Sequence, residues 1–161
     1  MSVRYRRSSL TNAITALPEK QLLIETIEEH LQTGKFGLIL INLQKLDEYR
    51  DQYGFVAANE LQRNIALILK ETFMISDDLQ PFLAQWGNSN FVLLCKADQT
   101  DLNEKSVYQK VFPKLEKVYS SGDSQSTRID QLLGIRIYKK VINPQSESLQ
   151  KIIIDLERLI D

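Results

Sequence analysis

The chain has little of the chemistry on which many enzyme sites depend. Among its 161 residues there are one cysteine, Cys95, and one histidine, His30. A single cysteine excludes an internal disulfide and any metal site built from several cysteines. Cys95 stands in an apolar run, which favours a packed small hydrophobe over a nucleophile. His30 stands in a polar helical stretch with no nucleophile signature beside it, so a Ser-His-Asp or Cys-His site is not indicated.

Long apolar runs and an excess of charge are also lacking. No run approaches the roughly 18 residues of a membrane span, and the first residues lack the apolar core of a signal peptide. The net charge is −1 at pH 7, and no basic face is interleaved with aromatic residues. We therefore expect a cytoplasmic protein with no membrane insertion and no nucleic-acid partner. The basic cluster Arg4, Arg6 and Arg7 is interpreted as a solvated terminus.

What is present is the composition of a folded domain. Hydrophobic residues make up 43% of the chain and charged residues 25%, which are ordinary values for a globular protein. The length suits one domain, and neither an internal repeat nor a linker is visible. We expect a single domain over 1–161, in which residues 1–12 form a flexible or helical lead-in.

Hydrophobic periodicity predicts an alternation of helices and strands. Pro18 opens the first helix and Gly34 ends it, and Ser146 can cap the last helix. The remaining predicted helices are 44–52, 56–73 and 102–119, and the predicted strands are 36–41, 81–86, 91–96 and 132–138. Pro113 should kink or break the helix that contains it.

The connections between these elements also have recognisable chemistry. Residues 87–90 (Gly-Asn-Ser-Asn) are typical of a β-hairpin turn, and residues 74–80 and 120–127 are predicted to be loops. The order α, β, α, α, β, β, α, β, α predicts one mixed sheet with helices packed on it. The fold class is therefore α/β or α+β.

Four segments, in this order and at this spacing, resemble the GGDEF family of bacterial signalling domains, which includes the diguanylate cyclases. Residues 14–20 (ITALPEK) are similar to its opening motif LTGLPNR, and residues 38–46 (LILINLQKL) to the apolar strand that leads into DLDxF. Residues 51–61 resemble NDxxGHxxGDxxL, and residues 85–94 (QWGNSNFVLL) resemble RxGGDEFxxLL. The resemblance implies a fold like the nucleotide-cyclase palm, a central, mostly antiparallel sheet surrounded by helices.

The resemblance also implies that the residues used for catalysis are replaced. The metal-binding aspartate of the family falls on Asn42, and its acidic metal and catalytic pair falls on Ser89 and Asn90. The two residues that read guanine fall on Arg50 and Asn59. The residues of this chain that fall on the family's active-site positions are Asn42, Arg50, Asn59, Gly87, Asn88, Ser89, Asn90 and Phe91.

Two recognition motifs are replaced as well. Gln85 stands where the family has an arginine before the signature. The product-binding motif RxxD falls on residues 78–81, where Asp78 and Pro81 replace its arginine and its aspartate. Asp78 would repel a phosphate, and Pro81 has no side chain that can bond to guanine. We therefore expect no binding of cyclic di-GMP at this site.

The neutral side chains at the metal positions decide the expected chemistry. Asn42, Ser89 and Asn90 offer oxygen atoms without charge, so the affinity for magnesium should collapse. A cyclase needs that metal to neutralise triphosphate charge in the transition state. Arg50 could fill the pocket, paired with a neighbouring acid. We expect no cofactor, no GTP binding and no diguanylate cyclase activity.

Three functions remain open at this point. The first is a non-catalytic regulatory module that binds a protein partner or a second copy of itself, with Trp86 on the docking surface if that side chain is exposed. If Trp86 is buried, the hairpin serves the sheet, and replacement of Trp86 by alanine should cost roughly 3–5 kcal/mol. The second is a metal-independent nucleotide sensor that uses Arg50, Lys45 and Gln85. The third is an active cyclase with substitute ligands.

Overall fold

The computed structural model describes residues 10–73, 81–99, 102–119 and 129–160. The predicted loops over 74–80 and 120–127 lie outside these ranges, as do Asp78 and the basic cluster Arg4, Arg6 and Arg7.

A four-stranded antiparallel sheet forms the centre of the described part. Its strands are β1 (Phe36–Leu43), β2 (Phe82–Trp86), β3 (Asn90–Lys96) and β4 (Ile135–Ile142). Their order across the sheet is β2-β3-β1-β4, and each neighbouring pair is antiparallel. All eight residues of β1 are buried, which agrees with the continuous apolar run from which this strand was predicted.

Helices cover both faces of this sheet. Within the described ranges they are α1 (Lys20–Thr33), α2 (Leu46–Tyr53), α3 (Phe55–Thr72), α4 (Glu104–Tyr119), α5 (Ile129–Leu133) and α6 (Leu149–Ile160). Successive side chains of a strand point to opposite faces. Ile39 and Ile41 accordingly join a core with α2, α3, α4 and α5, and Leu38 and Leu40 join a second core with α1 and α6. The predicted α+β fold is confirmed.

The predicted strand 132–138 is wrong at its beginning. Leu133 belongs to α5, and β4 starts at Ile135. Gly134 separates the two elements: its φ of 57° lies in the left-handed region, and its N–H donates to the carbonyl of Asp130 at 3.0 Å. This is a common way for a helix to end. A short apolar run such as Leu132-Leu133 fits a helix turn and a strand equally well.

Two predictions about helix interiors and ends also need correction. The helix α4 continues through Pro113, so the predicted break is wrong. Pro113 is exposed, and the burial of Phe112 and Leu115 holds the turns on either side. The last helix begins at Leu149, and its cap is Ser148 rather than Ser146, because Oγ of Ser148 accepts the N–H of Lys151 at 3.2 Å.

The chain before α1 folds into a closed turn. Thr11 forms a β-bridge with Pro18, and the side chain of Asn12 is buried and accepts the N–H groups of Ile14 and Thr15. The first helix therefore begins at Lys20 rather than at Pro18. The expected lead-in over 1–12 is wrong for residues 10–12, because the pairing of the turn holds them against residues 17–19.

Candidate functional site

Asn42 and Asn90 form a closed pair at the end of the sheet. They face each other in the register of β1 and β3. Nδ2 of Asn42 donates to Oδ1 of Asn90 at 2.5 Å, and Nδ2 of Asn90 donates to the carbonyl of Trp86 at 3.1 Å. Their side chains are only 6% and 4% exposed. Two of the sequence-predicted site residues are thus brought together, and they are bonded mainly to each other.

The turn between β2 and β3 is held against the end of β1 by its backbone. The N–H of Leu43 donates to the carbonyl of Ser89 at 2.7 Å. Gly87 has a φ of 67°, a conformation that glycine adopts without the steric cost of a side chain. Gly87 and Asn88 are exposed, and Phe91 is fully buried and anchors the start of β3. These contacts fix the position of the turn, whose side chains carry no charge.

Arg50 on α2 and Asn59 on α3 stand at the positions where the family resemblance implies recognition of guanine. Arg50 pairs with Asp47 at 2.9 Å within α2, so the predicted pairing with a neighbouring acid is confirmed. Asp47 is 84% exposed in this pair, and such surface ion pairs contribute little to stability. Asn59 is half-buried on α3.

Two backbone N–H groups that follow β1 donate hydrogen bonds within the chain. The N–H of Gln44 donates to the carbonyl of Gly134 at 3.2 Å, and the N–H of Lys45 donates to the carbonyl of Leu133 at 2.8 Å. The first turn of α2 carries Asp47 and Glu48. A helix N-terminus attracts anions, but here two carboxylates of the chain supply the negative charge. The two donors before α2 are thus bonded within the chain, and the first turn of α2 carries negative charge.

Gln85 is part of a buried network rather than of the site. Its side chain is fully buried, and its Oε1 accepts the hydroxyl of Thr15 at 2.6 Å. Its Nε2 donates to Oε1 of Gln62 at 3.0 Å. Gln62 is also fully buried, and its Nε2 has no hydrogen-bond partner among the described residues. The hypothesis that Gln85 holds a phosphate together with Arg50 and Lys45 is therefore wrong, because Gln85 points into the core.

Sequence reasoning did not identify Gln62 as the partner of Gln85. The available signal was a polar residue at the edge of the apolar stripe of α3, directly after Leu61 and three positions before Ile65. A glutamine in such a place must find hydrogen bonds inside the protein.

Trp86 is also buried, at 8% exposure, and it packs in the core that α1 and α6 cover. Nζ of Lys20 lies 4.6 Å from the centroid of its ring, which makes a cation–π contact. The interpretation of Trp86 as a partner-docking surface is therefore wrong. Its side chain serves the packing of the sheet.

A model of the GGDEF family, described as diguanylate cyclase, GGDEF domain, matches residues 9–155. The chain belongs to the GGDEF family. Diguanylate cyclase DgcP of Pseudomonas aeruginosa is 27% identical to this GGDEF domain over 97 residues. That match covers 57% of this chain and 14% of the relative, so the similarity concerns a small part of the relative's length.

Three solved structures illustrate the similarity of this fold to known proteins. The FimX GGDEF domain of Pseudomonas aeruginosa has a TM-score of 0.63 at 16% identity, covering 92% of this chain and 90% of that one. Vibrio cholerae LapD, an S helix-GGDEF-EAL protein bound to c-di-GMP, has a TM-score of 0.67 at 16% identity, covering 98% and 34%. Diguanylate cyclase SiaD of Pseudomonas aeruginosa, in complex with its activator SiaC, has a TM-score of 0.59 at 14% identity, covering 98% and 61%.

The residues of this GGDEF domain do not fit a magnesium ion. Hard divalent cations prefer several oxygen ligands, among them carboxylates. Oδ1 of Asn90 is bonded to the amide nitrogen of Asn42, and the other side-chain acceptors here, Oδ1 of Asn42 and the hydroxyl of Ser89, are neutral. Among the residues that the structure describes, no three His, Cys, Asp or Glu side chains are grouped so that they could hold a metal.

The domain has a cleft of about 270 Å³ between α2 and α5. Lys45, Glu48 and Tyr49 line it. Burial, followed by the nearby Tyr119, Tyr53 and Glu60, raises the pKa of the Tyr49 phenol above its usual 10.0. Tyr49 is therefore protonated at neutral pH and offers no base. None of the helices that the structure describes combines the length and hydropathy needed to cross a membrane.

Proposed function

We propose that this GGDEF domain is a non-catalytic module of cyclic di-GMP signalling that acts by binding other proteins. The observation that carries the proposal is the uncharged, mutually bonded pair of Asn42 and Asn90 at the metal position. A cyclase must neutralise two triphosphates there, and loss of metal assistance removes several kcal/mol of transition-state stabilisation. Each 1.4 kcal/mol corresponds to about a tenfold loss of rate.

Three relatives support the signalling context and the mode of action. DgcP is a diguanylate cyclase, LapD was solved with c-di-GMP, and SiaD was solved with a protein activator. Protein contacts can therefore regulate a domain of this fold. We propose that protein contacts are the function of the present domain, and that this function requires no magnesium, GTP or cyclic di-GMP.

The product-binding position supports the same proposal. Pro81, where the family motif has an aspartate, is half-buried and its side chain has neither a donor nor an acceptor. Asp78, where the motif has an arginine, carries a charge of the same sign as the phosphates of cyclic di-GMP.

Incubation of the purified chain with GTP and magnesium, followed by chromatography, tests the proposal. We expect no cyclic di-GMP above an enzyme-free control, whereas an active GGDEF protein in a parallel reaction should form it. The variant Asn42→Ala, purified in the same way, identifies activity from a contaminating host cyclase. Product that the parent forms and this variant does not would refute the proposal.

Calorimetric titration completes the test. We expect no heat of binding with GTP or cyclic di-GMP, with or without magnesium. A micromolar dissociation constant for either nucleotide would favour a nucleotide sensor instead.

A further inference from the structure

Three hydrophobic side chains are exposed at the junction between α2 and α3. Tyr53 is 48% exposed, Phe55 is 67% exposed and Val56 is 66% exposed. We call these three residues the corner. Phe55 and Val56 are the two most exposed large hydrophobic residues in the described ranges. Single exposed hydrophobic residues are ordinary, but adjacent ones often mark a binding surface.

The backbone fixes the shape of the corner. The N–H of Gly54 donates to the carbonyl of Arg50 at 2.7 Å and ends α2, and the N–H of Ala58 donates to the carbonyl of Gly54 at 3.1 Å in the first turn of α3. Gly54 has a φ of 92°, which permits the sharp change of direction. The ring of Tyr53 lies 4.7 Å from that of Tyr49. The three side chains are therefore presented on a defined support.

Two acidic residues lie near the corner along the chain. Asp51 precedes Tyr53 by two residues near the end of α2, and Glu60 follows Val56 by four residues, one turn along α3. Both are exposed, and within the described part of the chain neither forms an ion pair. The nearest cation, Arg50, is already held by Asp47.

These features select the kind of partner. A second copy that used the same surface would bring Asp51 and Glu60 against their own equivalents, and opposed like charges disfavour association. Three partly exposed side chains also cover well below the roughly 800 Å² per partner that a stable complex of folded domains buries. A short segment needs less area, and arginine or lysine in it would complement the two acids.

We propose that the corner binds a short peptide segment of a partner protein, in which arginine or lysine residues flank an aromatic or aliphatic side chain. The aromatic or aliphatic side chain packs on Phe55 and Val56, and the cations approach Asp51 and Glu60. This inference rests on the proposed function as a protein-binding module, and it assigns that binding to one surface.

A peptide with the sequence of residues 2–10 of the chain, SVRYRRSSL, is a suitable probe because three arginines flank a tyrosine in it. Binding of the fluorescently labelled peptide is measured by anisotropy with the full chain, and with a variant in which Arg4, Arg6 and Arg7 are glutamine, so that the chain's own arginines do not compete. A peptide with glutamate in place of each arginine is the control.

We expect the arginine peptide, but not the glutamate peptide, to bind at micromolar concentrations. Phe55→Ser should weaken binding by roughly tenfold or more, because exposed aromatic anchors dominate such contacts. Asp51→Asn with Glu60→Gln should weaken it several-fold and reduce its salt dependence. Leu67→Ser and Glu71→Gln, which alter exposed residues elsewhere on α3, should leave binding unchanged.

Each outcome decides the proposal. Binding only to the arginine-to-glutamine variant supports it and identifies the chain's own segment as a competing occupant. Lack of binding to both forms, equal effects of Phe55→Ser and Leu67→Ser, or a dimer in ultracentrifugation that Phe55→Ser abolishes would overturn it. The cyclase assay is independent of these results, so a failure of the corner and a failure of the proposed function can be told apart.

Discussion

Single residues at the end of the sheet determine which groups the site can accommodate. The N–H of Leu43 bonds on the β3 side of β1, and in an antiparallel ladder such residues alternate along the strand with non-hydrogen-bonded ones. Asn42 and Asn90 therefore form a non-hydrogen-bonded pair, in which opposing Cα atoms lie about 4.5 Å apart. At that separation two amides can satisfy each other, whereas two carboxylates repel unless a cation lies between them.

Replacement of both residues by aspartate should therefore destabilise the domain. We expect the double variant Asn42→Asp/Asn90→Asp to lose about 3–5 kcal/mol at neutral pH, the usual cost of uncompensated buried charge. Mutual repulsion raises the folded-state pKa above the unfolded value of about 3.9, so the loss should be smallest below about pH 4 and grow as the pH rises. Urea unfolding at several pH values measures this.

The variant Asn88→Asp is the matched control, because Asn88 is exposed in the same turn, and it should unfold like the parent. Added magnesium should restore part of the stability of the double variant and of no other. If the double variant proves as stable as the parent at neutral pH, the amide pair does not have the structural role that we assign to it.

At the scale of secondary-structure elements, α6 shows how one hydrogen bond sets the beginning of a helix. Oγ of Ser148 accepts the N–H of Lys151 at 3.2 Å. Ser146 lies in the turn before the helix, where its N–H donates to the carbonyl of Asn143 at 3.1 Å. The two serines differ by two positions along the chain, but only Ser148 accepts a backbone N–H of the helix.

This difference is directly testable. Ser148→Ala should lower the free energy of unfolding by about 1 kcal/mol, the typical value of an N-cap. Ser146→Ala should change it by a few tenths of a kcal/mol at most, because its hydroxyl makes only a long contact of 3.4 Å to the carbonyl of Asn143. Urea unfolding of the two variants side by side would contradict the assignment if Ser146→Ala were the more damaging.

The elements differ in how far their sequences determine them. The strand β1 and the helix α3 could be predicted because each has an apolar pattern of sufficient length and clear period. The segment 129–133 could not, since its short apolar run fits both states until Gly134 ends the helix. The hydrogen bond between Asn42 and Asn90 could not be predicted from the sequence either. It depends on the register between two strands that lie 48 residues apart.

At the scale of the whole molecule, a buried polar chain connects three separate parts of the fold. The hydroxyl of Thr15 in the N-terminal turn bonds to Gln85 of β2, which bonds to Gln62 of α3. The N–H of Gln85 also donates to the carbonyl of Pro18 at 2.8 Å. The turn before α1 is thereby fixed to the edge strand and to the opposite layer of helices.

A double-mutant cycle measures this connection. Gln85→Met leaves Thr15 and Gln62 without their partner and should cost about 1–3 kcal/mol. Gln62→Met should cost less, because it also removes the amide nitrogen that has no partner among the described residues. The double variant should be more stable than the sum of the two effects implies. Strict additivity would show that the two glutamines are not coupled, and Gln21→Met on the exposed face of α1 is the control.

The burial of Trp86 has a practical consequence. The chain contains one tryptophan, so all indole emission comes from a single place in the molecule. That indole is shielded from water at 8% exposure and lies under the ammonium group of Lys20. The carbonyl of the same residue accepts the amide of Asn90. The protein therefore carries an intrinsic optical reporter beside the Asn42–Asn90 pair, and no dye has to be attached to follow a rearrangement there.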